Sequence, residues 1–305
     1  MSLFHIFTLL VCIVFSVFIY IIYVLYRQCN EMKLLLSIQN CSSSEKINTL
    51  IEYIKKYGES DFICYELGSS YVKEQEYEKA LNLFEKAINY NPNMAEAYYS
   101  IGYIQYNNFK KIDDAKLSFK KALSLNKDLA ECYNSLGIVY LNENNSDKAK
   151  ECFENSIRSN NEQPNVYNNL GIMHTKASNN IEAEKMFKKS LNINPLCAET
   201  YNNLGNLYGQ QSKFKEASEM FKNSLVIEPD NNLSHYWLGS VYYMLNNIEK
   251  AITHLEKTIS LNPDLAFSYY NLALCYDKKG DKQKSKEAFE KACKINPEIK
   301  KIFGS

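Results

Sequence analysis

Two hydrophobic patterns divide the chain. From Leu3 to Tyr26 nearly every residue is apolar or aromatic, and no Asp, Glu, Lys or Arg interrupts the run. A helix of this length spans about 36 Å, so the pattern predicts a transmembrane anchor over residues 1–26 that crosses the bilayer through residues 3–26. From residue 61 onwards, apolar positions recur with the spacing of amphipathic helices, and polar stretches interrupt them at regular intervals.

A cleaved signal peptide and a buried core helix are the alternatives to an anchor. The run favours the anchor because no basic residue precedes it and it is longer than the apolar core of a signal peptide. Arg27 and Lys33 follow the run, and the positive-inside rule then predicts a single-pass membrane protein with its repeat domain in the cytoplasm. The nine Cys are odd in number and irregularly spaced, so most are expected to be free thiols, which is typical of a reducing compartment.

A motif of about 34 residues occurs seven times after residue 60. A small residue preceded by Leu or Ile marks each copy, and in most copies an aromatic residue follows three positions later. Five of the six prolines close a copy. The small residues are Gly68, Gly102, Gly137, Gly171, Gly205, Gly239 and Ala273. The large apolar residues sixteen or seventeen positions further on are Phe84, Phe119, Phe153, Phe187, Phe221, Leu255 and Phe289.

This motif resembles the tetratricopeptide repeat family over residues 61–299. The resemblance implies an all-α fold, an α-solenoid of seven helix-turn-helix units that stack as a right-handed superhelix. The first helix of each unit would line a concave groove. The units are 61–94, 95–129, 130–163, 164–197, 198–231, 232–265 and 266–299. The sequence departs from the pattern at Gln105, at one extra residue in the second unit, and at Lys127 and Asn161, where proline is usual.

The segments that flank the repeats have predictions of their own. Residues 27–60 join the anchor to the repeats, and within them Ser42 and Glu45 fit a capping box. We therefore expect a helix over residues 43–57 that covers the open end of the first unit and ends at Gly58. Residues 300–305 form a short tail. The Lys-rich second helix of the last unit is expected to act as its own polar cap.

Charge and motifs exclude several classes of function. Lys plus Arg and Asp plus Glu both number 35, and only Arg27 and Arg158 are arginines, so a nucleic-acid partner is not expected. None of the four His lies in a metal-ligand pattern. The chain also lacks the motifs of hydrolases, phosphate loops and dinucleotide sites. We therefore expect no enzyme, no cofactor, no metal and no small-molecule substrate.

The predicted groove carries amides and aromatic rings. Some family members grip a terminal carboxylate with Lys, Arg and Asn, but no Lys or Arg stands at positions 2, 5, 6 or 9 of any first helix here. An Asn amide offers a donor and an acceptor to an extended peptide backbone, and aromatic rings supply contact area. The candidate peptide-binding residues are Asn134, Asn168, Asn169, Asn202, Asn203, Asn206, Tyr236, Trp237, Tyr270 and Asn271. Ordinary structural roles for the same side chains are the alternative.

These observations predict a membrane-tethered scaffold that binds an extended segment of a protein partner. Acidic side chains on the first helices favour a neutral to basic segment. They are Glu66, Glu96, Glu131 and Glu199. The alternatives are a client receptor or assembly factor that delivers proteins to a membrane machine, and a regulatory subunit of an envelope enzyme.

Overall fold

The computed structural model describes the backbone of residues 3–303 and the side chains of residues 15–301 apart from 23, 27 and 35. This part of the chain is all-α, with seventeen helices and no strand. The helices are α1 Leu3–Ile38, α2 Ser43–Tyr57, α3 Asp61–Lys73, α4 Tyr77–Tyr90, α5 Ala95–Asn107, α6 Ile112–Leu125, α7 Ala130–Asn142, α8 Ser146–Ser159, α9 Pro164–Lys176, α10 Asn180–Ile193, α11 Ala198–Gln210, α12 Phe214–Ile227, α13 Asn232–Met244, α14 Ile248–Leu261, α15 Ala266–Lys279, α16 Lys282–Ile295 and α17 Glu298–Phe303.

Helices α3 to α16 follow one another along the chain as seven consecutive pairs, and the two helices pack together in the pairs α3–α4, α5–α6, α9–α10, α11–α12, α13–α14 and α15–α16. In every pair the first helix begins at the first residue of a predicted unit. The chain divides into two compact units, one up to Val139 and one from Tyr140 onwards, so the boundary falls inside α7. The second unit contains the complete helix pairs from α9 to α16.

The predicted transmembrane anchor needs correction. Among the residues that the structure describes, no helix combines the length and the apolar character needed to cross a membrane. This finding overturns the predicted location as a single-pass membrane protein. Residues 3–14 of the predicted span lie outside the described side chains. Past the end of the apolar run, α1 continues to Ile38 and packs there against the repeats.

The carboxyl-terminal part of α1 belongs to the packing of the first unit. Leu34 and Ile38 are buried in one cluster with Leu50 of α2 and Ile63 of α3. The hydroxyl of Ser60 donates a hydrogen bond to Glu31 Oε1 (2.8 Å). The sequence pattern predicts that residues 27–60 join the anchor to the repeats, whereas α1 extends to Ile38 within this segment. Lys33 is exposed there, while Leu34 and Ile38 form a buried apolar stripe of the helix.

Helix α2 covers the first helix pair and starts with the predicted capping box. The backbone N–H of Glu45 donates to Ser42 Oγ, and the backbone N–H of Ser42 donates to Glu45 Oε2 (3.0 Å). The pKa of the Glu45 carboxyl is lowered because it accepts hydrogen bonds from the backbone N–H and the hydroxyl of Ser42. The helix ends at Gly58, whose φ of 83° suits a residue without a side chain.

Close contact between a glycine and a ring sets the spacing within the helix pairs. A Cβ on Gly205 would lie 2.8 Å from Cε1 of Phe221, which is closer than real carbon atoms approach. Gly68 stands in the same relation to Phe84, also at 2.8 Å. The sequence suggested that the Phe fills space between successive pairs, but each of these rings lies against the glycine of its own pair.

The turn inside each pair contains one residue in the left-handed backbone region. The non-glycine residues with positive φ are Gln75, Lys110, Asn144, Ser178, Ser212 and Asn246, and Gly280 takes this conformation in the last pair. At Ser178 the hydrogen bonds follow the Schellman pattern, in which Asn179 N–H donates to His174 O (2.9 Å). In the second pair Lys111 N–H donates to Gln105 O (2.8 Å) instead. The extra residue of that repeat therefore lengthens the turn and leaves both helices intact.

The carboxyl-terminal end of the second unit also differs from the prediction. Residues 298–303 form α17, and Ile299 is buried against Ala266 and Ala292. The charged neighbours of Ile299 concealed this apolar contact in the sequence. The last helix pair is therefore covered by a short helix rather than by its own polar surface alone.

Candidate functional site

The candidate groove residues lie on first helices. Asn134 lies on α7 in the first unit, whereas the other candidates lie in the second unit on α9, α11, α13 and α15. In the second unit, successive first helices contact each other directly. The candidates from Asn168 to Asn271 can therefore be considered as one surface, which we call the first-helix surface.

The amides at the fifth position of α9 and α11 connect neighbouring repeats. Asn168 is only 4% exposed. Its Nδ2 donates to Glu199 Oε1 (3.1 Å), and its Oδ1 accepts a hydrogen bond from Asn203 Nδ2 (3.0 Å). In the next repeat, Ser234 Oγ donates to Asn202 Oδ1 (2.8 Å). Asn168 thus holds two first helices together and has little capacity left for a ligand, whereas Asn202 links repeats through its Oδ1 and is half-buried.

The residues at the sixth position point toward solvent. Trp237 is 38% exposed, and Asn169, Asn203 and Asn271 are half-buried. Asn271 Nδ2 donates to Ser240 Oγ (2.9 Å). These side chains lie one residue after the fifth position, which turns them by roughly 100° around the helix axis. They form the accessible row of the first-helix surface.

Aromatic side chains extend this row in the last two repeats. The rings of Tyr236 and Trp237 meet edge to face with centroids 4.9 Å apart. Burial raises the pKa of Tyr236, and burial likewise raises the pKa of Tyr270. Both phenols are therefore neutral near pH 7 and can act as hydrogen-bond donors. Phe267, the second residue of α15, is 43% exposed.

A pocket opens between the fifth and sixth repeats. It has a volume of about 390 Å³ and lies between α11, α12 and α13. Six of its lining residues are Asn206, Gly209, Phe214, Trp237, Val241 and Met244. Only Asn206 and Trp237 were among the predicted site residues. Gly209 was the signal in the sequence, because a glycine inside an apolar helical pattern often marks a close approach or an opening.

Of the four acidic side chains predicted on first helices, one has a basic partner. Glu66 on the first unit forms an ion pair with Lys46 (2.5 Å). Glu199 on the second unit accepts a hydrogen bond from Asn168 and stays exposed. One acidic side chain therefore remains beside the amide row of the second unit.

The residues that the structure describes offer little for metal or acid–base chemistry. No group of three or more His, Cys, Asp or Glu side chains is placed to hold a metal ion there. His235 and His254 form a pair with their Nδ1 atoms 2.9 Å apart, and His235 Nε2 lies 3.0 Å from Pro229 O. Burial lowers the pKa of His254 to about 4. The pair is a packing element of the sixth repeat.

Family models match most of the repeat region. The model described as TPR repeat matches residues 68–108 and 239–280. Three models described as Tetratricopeptide repeat match residues 162–226, residues 95–129 with 268–299, and residues 118–151. No curated protein matches the chain by sequence.

Solved structures share the fold at low sequence identity. A chain of the APC/C hetero-tetramer Cut9-Hcn1 is 19% identical with a TM-score of 0.67, and the match covers 84% of this chain. The chain spans half (50%) of that protein's length. Pseudomonas aeruginosa pilF is 19% identical with a TM-score of 0.59, over 69% of this chain and 92% of its own. Yeast Tom70 is 17% identical with a TM-score of 0.57, and the match covers 79% of this chain and 59% of the Tom70 chain. These likenesses show a shared helical-repeat fold.

Proposed function

Since the chain belongs to the tetratricopeptide repeat family, we propose that it is a protein-binding scaffold whose second unit holds an extended peptide segment. The segment lies along the first-helix surface, across α9, α11, α13 and α15. One observation carries this proposal. At the sixth position Asn169, Asn203, Trp237 and Asn271 remain partly accessible, while Asn168, at the fifth position of α9, is buried in hydrogen bonds between repeats.

The amide row supports binding through the peptide backbone. The hydrogen bond from Asn203 Nδ2 to Asn168 fixes the orientation of the Asn203 amide. Its Oδ1 can then accept a hydrogen bond from a peptide N–H. Because these hydrogen bonds are made to the peptide backbone, they depend little on the side chains of the bound segment. An amide that is already oriented loses less conformational entropy when the peptide binds.

The aromatic end of the surface supplies apolar contact area. Trp237 and Phe267 are exposed, and exposed aromatic rings are enriched where proteins bind partners. Glu199 favours a neutral or basic segment over an acidic one. A receptor that captures many unfolded clients would use the same surface. A scaffold differs from it by selecting peptides that share a side-chain pattern.

The test uses a phage-displayed library of random twelve-residue peptides selected on the full chain. The affinity of selected peptides is then measured for Asn169→Ala combined with Asn206→Ala. We expect at least about a tenfold loss, because leaving a buried hydrogen-bond partner unpaired costs on the order of 1–3 kcal/mol. Melting curves of the same variants check that the repeats stay folded.

The matched control replaces Asn89 and Asn192, which are exposed on the second helices α4 and α10. Changing both to Ala should leave peptide affinity within about twofold. If the control pair abolishes binding while the groove pair binds like the native chain, the functional surface lies on the second helices. A shared side-chain pattern among the selected peptides supports a scaffold, and equal binding of unrelated unfolded chains supports a client receptor.

A further inference from the structure

The pocket between the fifth and sixth repeats has a specific origin in the sequence. Gly209 stands four residues after the signature glycine Gly205 on α11. A Cβ built on Gly209 would meet no atom within 4 Å, so the backbone there borders open space. In the other repeats this position carries a side chain: Val72, Tyr106, Leu141, Thr175, Tyr243 or Asp277. The missing side chain leaves the opening in the fifth repeat.

The walls of the pocket are apolar and its rim is polar. Phe214, Val241 and Met244 line the inside, and Met244 is 58% exposed toward the opening. Asn206 and Ser240 also line it, and Ser240 is held by Asn271. No lining residue carries a charge. The pocket therefore disfavours a charged side chain, whose transfer from water would not be compensated by a partner charge.

We propose that this pocket determines the sequence specificity of the first-helix surface by taking one large apolar side chain of the bound peptide. The inference rests on the proposed function. The occupant is a leucine, methionine or phenylalanine side chain from an extended, neutral to basic segment. The volume of the pocket, about 390 Å³, lies near the lower end of the range for ligand pockets, which is roughly 300–1,000 Å³. That size fits one anchoring side chain and not a helix.

The position of the pocket agrees with this role. Asn206 lies at its edge and Asn203 lies one helical turn earlier on the same face of α11. A peptide held through its backbone by these amides would present alternate side chains toward the repeats. One of them would meet the opening beside Trp237. The backbone contacts would then supply affinity and the pocket would select the residue.

The experiment fills the pocket from within the chain. Gly209→Leu places a side chain in the open space, and a residue other than glycine also favours the helix. The variant should therefore melt at or above the temperature of the native chain. The probes are Trp-free peptides chosen from the random library on the native chain. Trp237 is the only tryptophan, so its fluorescence reports binding at the pocket without a label.

We expect the selected peptides to share one large apolar residue. Replacing that residue of the peptide with Ala should weaken binding at least about tenfold. Gly209→Leu in the chain should lower the affinity for the unchanged peptide by a similar factor. Combining both changes should cause little further loss, because they remove the same contact. Asn192→Leu adds the same side chain on α10, outside the first-helix surface, and should leave the affinity unchanged.

Other outcomes separate this inference from the proposed function. If Gly209→Leu binds like the native chain while Asn169→Ala with Asn206→Ala binds weakly, the pocket proposal is wrong and the groove proposal stands. If neither variant changes the affinity, both are wrong. Selected peptides that lack a common apolar residue, or a library that gives no specific binder, also overturn the pocket proposal.

Discussion

Asn203 Nδ2 donates a hydrogen bond of 3.0 Å to Asn168 Oδ1, and this contact joins two successive repeats of the second unit. The two amides differ in exposure: Asn168 is almost completely buried, whereas Asn203 is half-buried. The buried amide also donates to Glu199. A structural amide network therefore lies directly beneath the row that we propose binds a peptide, and the two roles can be separated by substitution.

Asn168→Leu should lower the free energy of unfolding of the second unit by about 1–3 kcal/mol. The substitution removes an acceptor for Asn203 and a donor to Glu199, and a buried group that loses its partner is costly. Urea titration followed by circular dichroism measures the change. Asn165→Ala, at an exposed position of the same helix, should change the stability by less than about 0.5 kcal/mol. Equal effects of the two substitutions would contradict the assignment of Asn168 to the structural network.

The division between these two rows could not be predicted from the sequence. Asn168 and Asn169 are adjacent and chemically identical, and the repeat pattern shows only that both lie near the groove. Which of them is buried depends on the rotation of α9 against α11, which packing decides. The helix starts followed directly from the repeat because Gly, Phe and Pro recur at fixed spacing, and each has a single steric role.

Asparagine also has a role that the sequence did not reveal. At the ends of the second helices, Asn91, Asn126, Asn160, Asn194, Asn262 and Asn296 accept a hydrogen bond from the N–H two residues later. This is the turn that an Asn side chain forms with its own backbone. It is present after α6 and α8, where Lys127 and Asn161 replace the usual proline. The loop geometry therefore does not depend on proline.

Replacing each of two glycines on α11 with alanine should change the stability in opposite directions. A Cβ at Gly205 would lie 2.8 Å from Phe221, so Gly205→Ala should destabilise the second unit by about 1–3 kcal/mol through overpacking. At Gly209 an added Cβ meets nothing within 4 Å. Gly209→Ala should therefore stabilise the helix by about 0.5–1 kcal/mol. Thermal unfolding of both variants tests the packing, and a stabilised Gly205→Ala would show that the ring can move away.

Substitutions at two equivalent positions in the left-handed turns should change the stability of the chain in opposite directions. Ser178 has φ 59° and Gly280 has φ 87°. A residue with a side chain has a conformational free energy roughly 1–2 kcal/mol higher in this region than in the right-handed helical region. Ser178→Gly should therefore stabilise the chain by up to about 1 kcal/mol, and Gly280→Ala should destabilise it by about 1 kcal/mol. Differential scanning calorimetry compares the two, and the same sign for both would contradict the turn geometry.

Acid should weaken the sixth repeat through the histidine pair. Burial, the nearby His235 and the ammonium groups of Lys222 and Lys250 together lower the pKa of His254 to about 4. The imidazole of His254 also stacks with the ring of Tyr242 at 5.6 Å. In the unfolded chain the pKa of this histidine returns to about 6.5. Between pH 6.5 and 4 the unfolded state therefore binds more protons than the folded state.

The free energy of unfolding should consequently stay constant above pH 6.5 and fall as the pH decreases from 6.5 toward 4, by roughly 1–3 kcal/mol in total. His254→Met tests the cause, because Met186 and Met220 occupy the equivalent positions of the two preceding repeats. The variant should remove most of the loss between pH 7 and 5, where few carboxylates titrate. Urea titrations at pH 7, 6 and 5 measure both chains. A native chain that keeps its full stability at pH 5, or a variant that loses as much as the native chain, would show that His254 is not the group responsible.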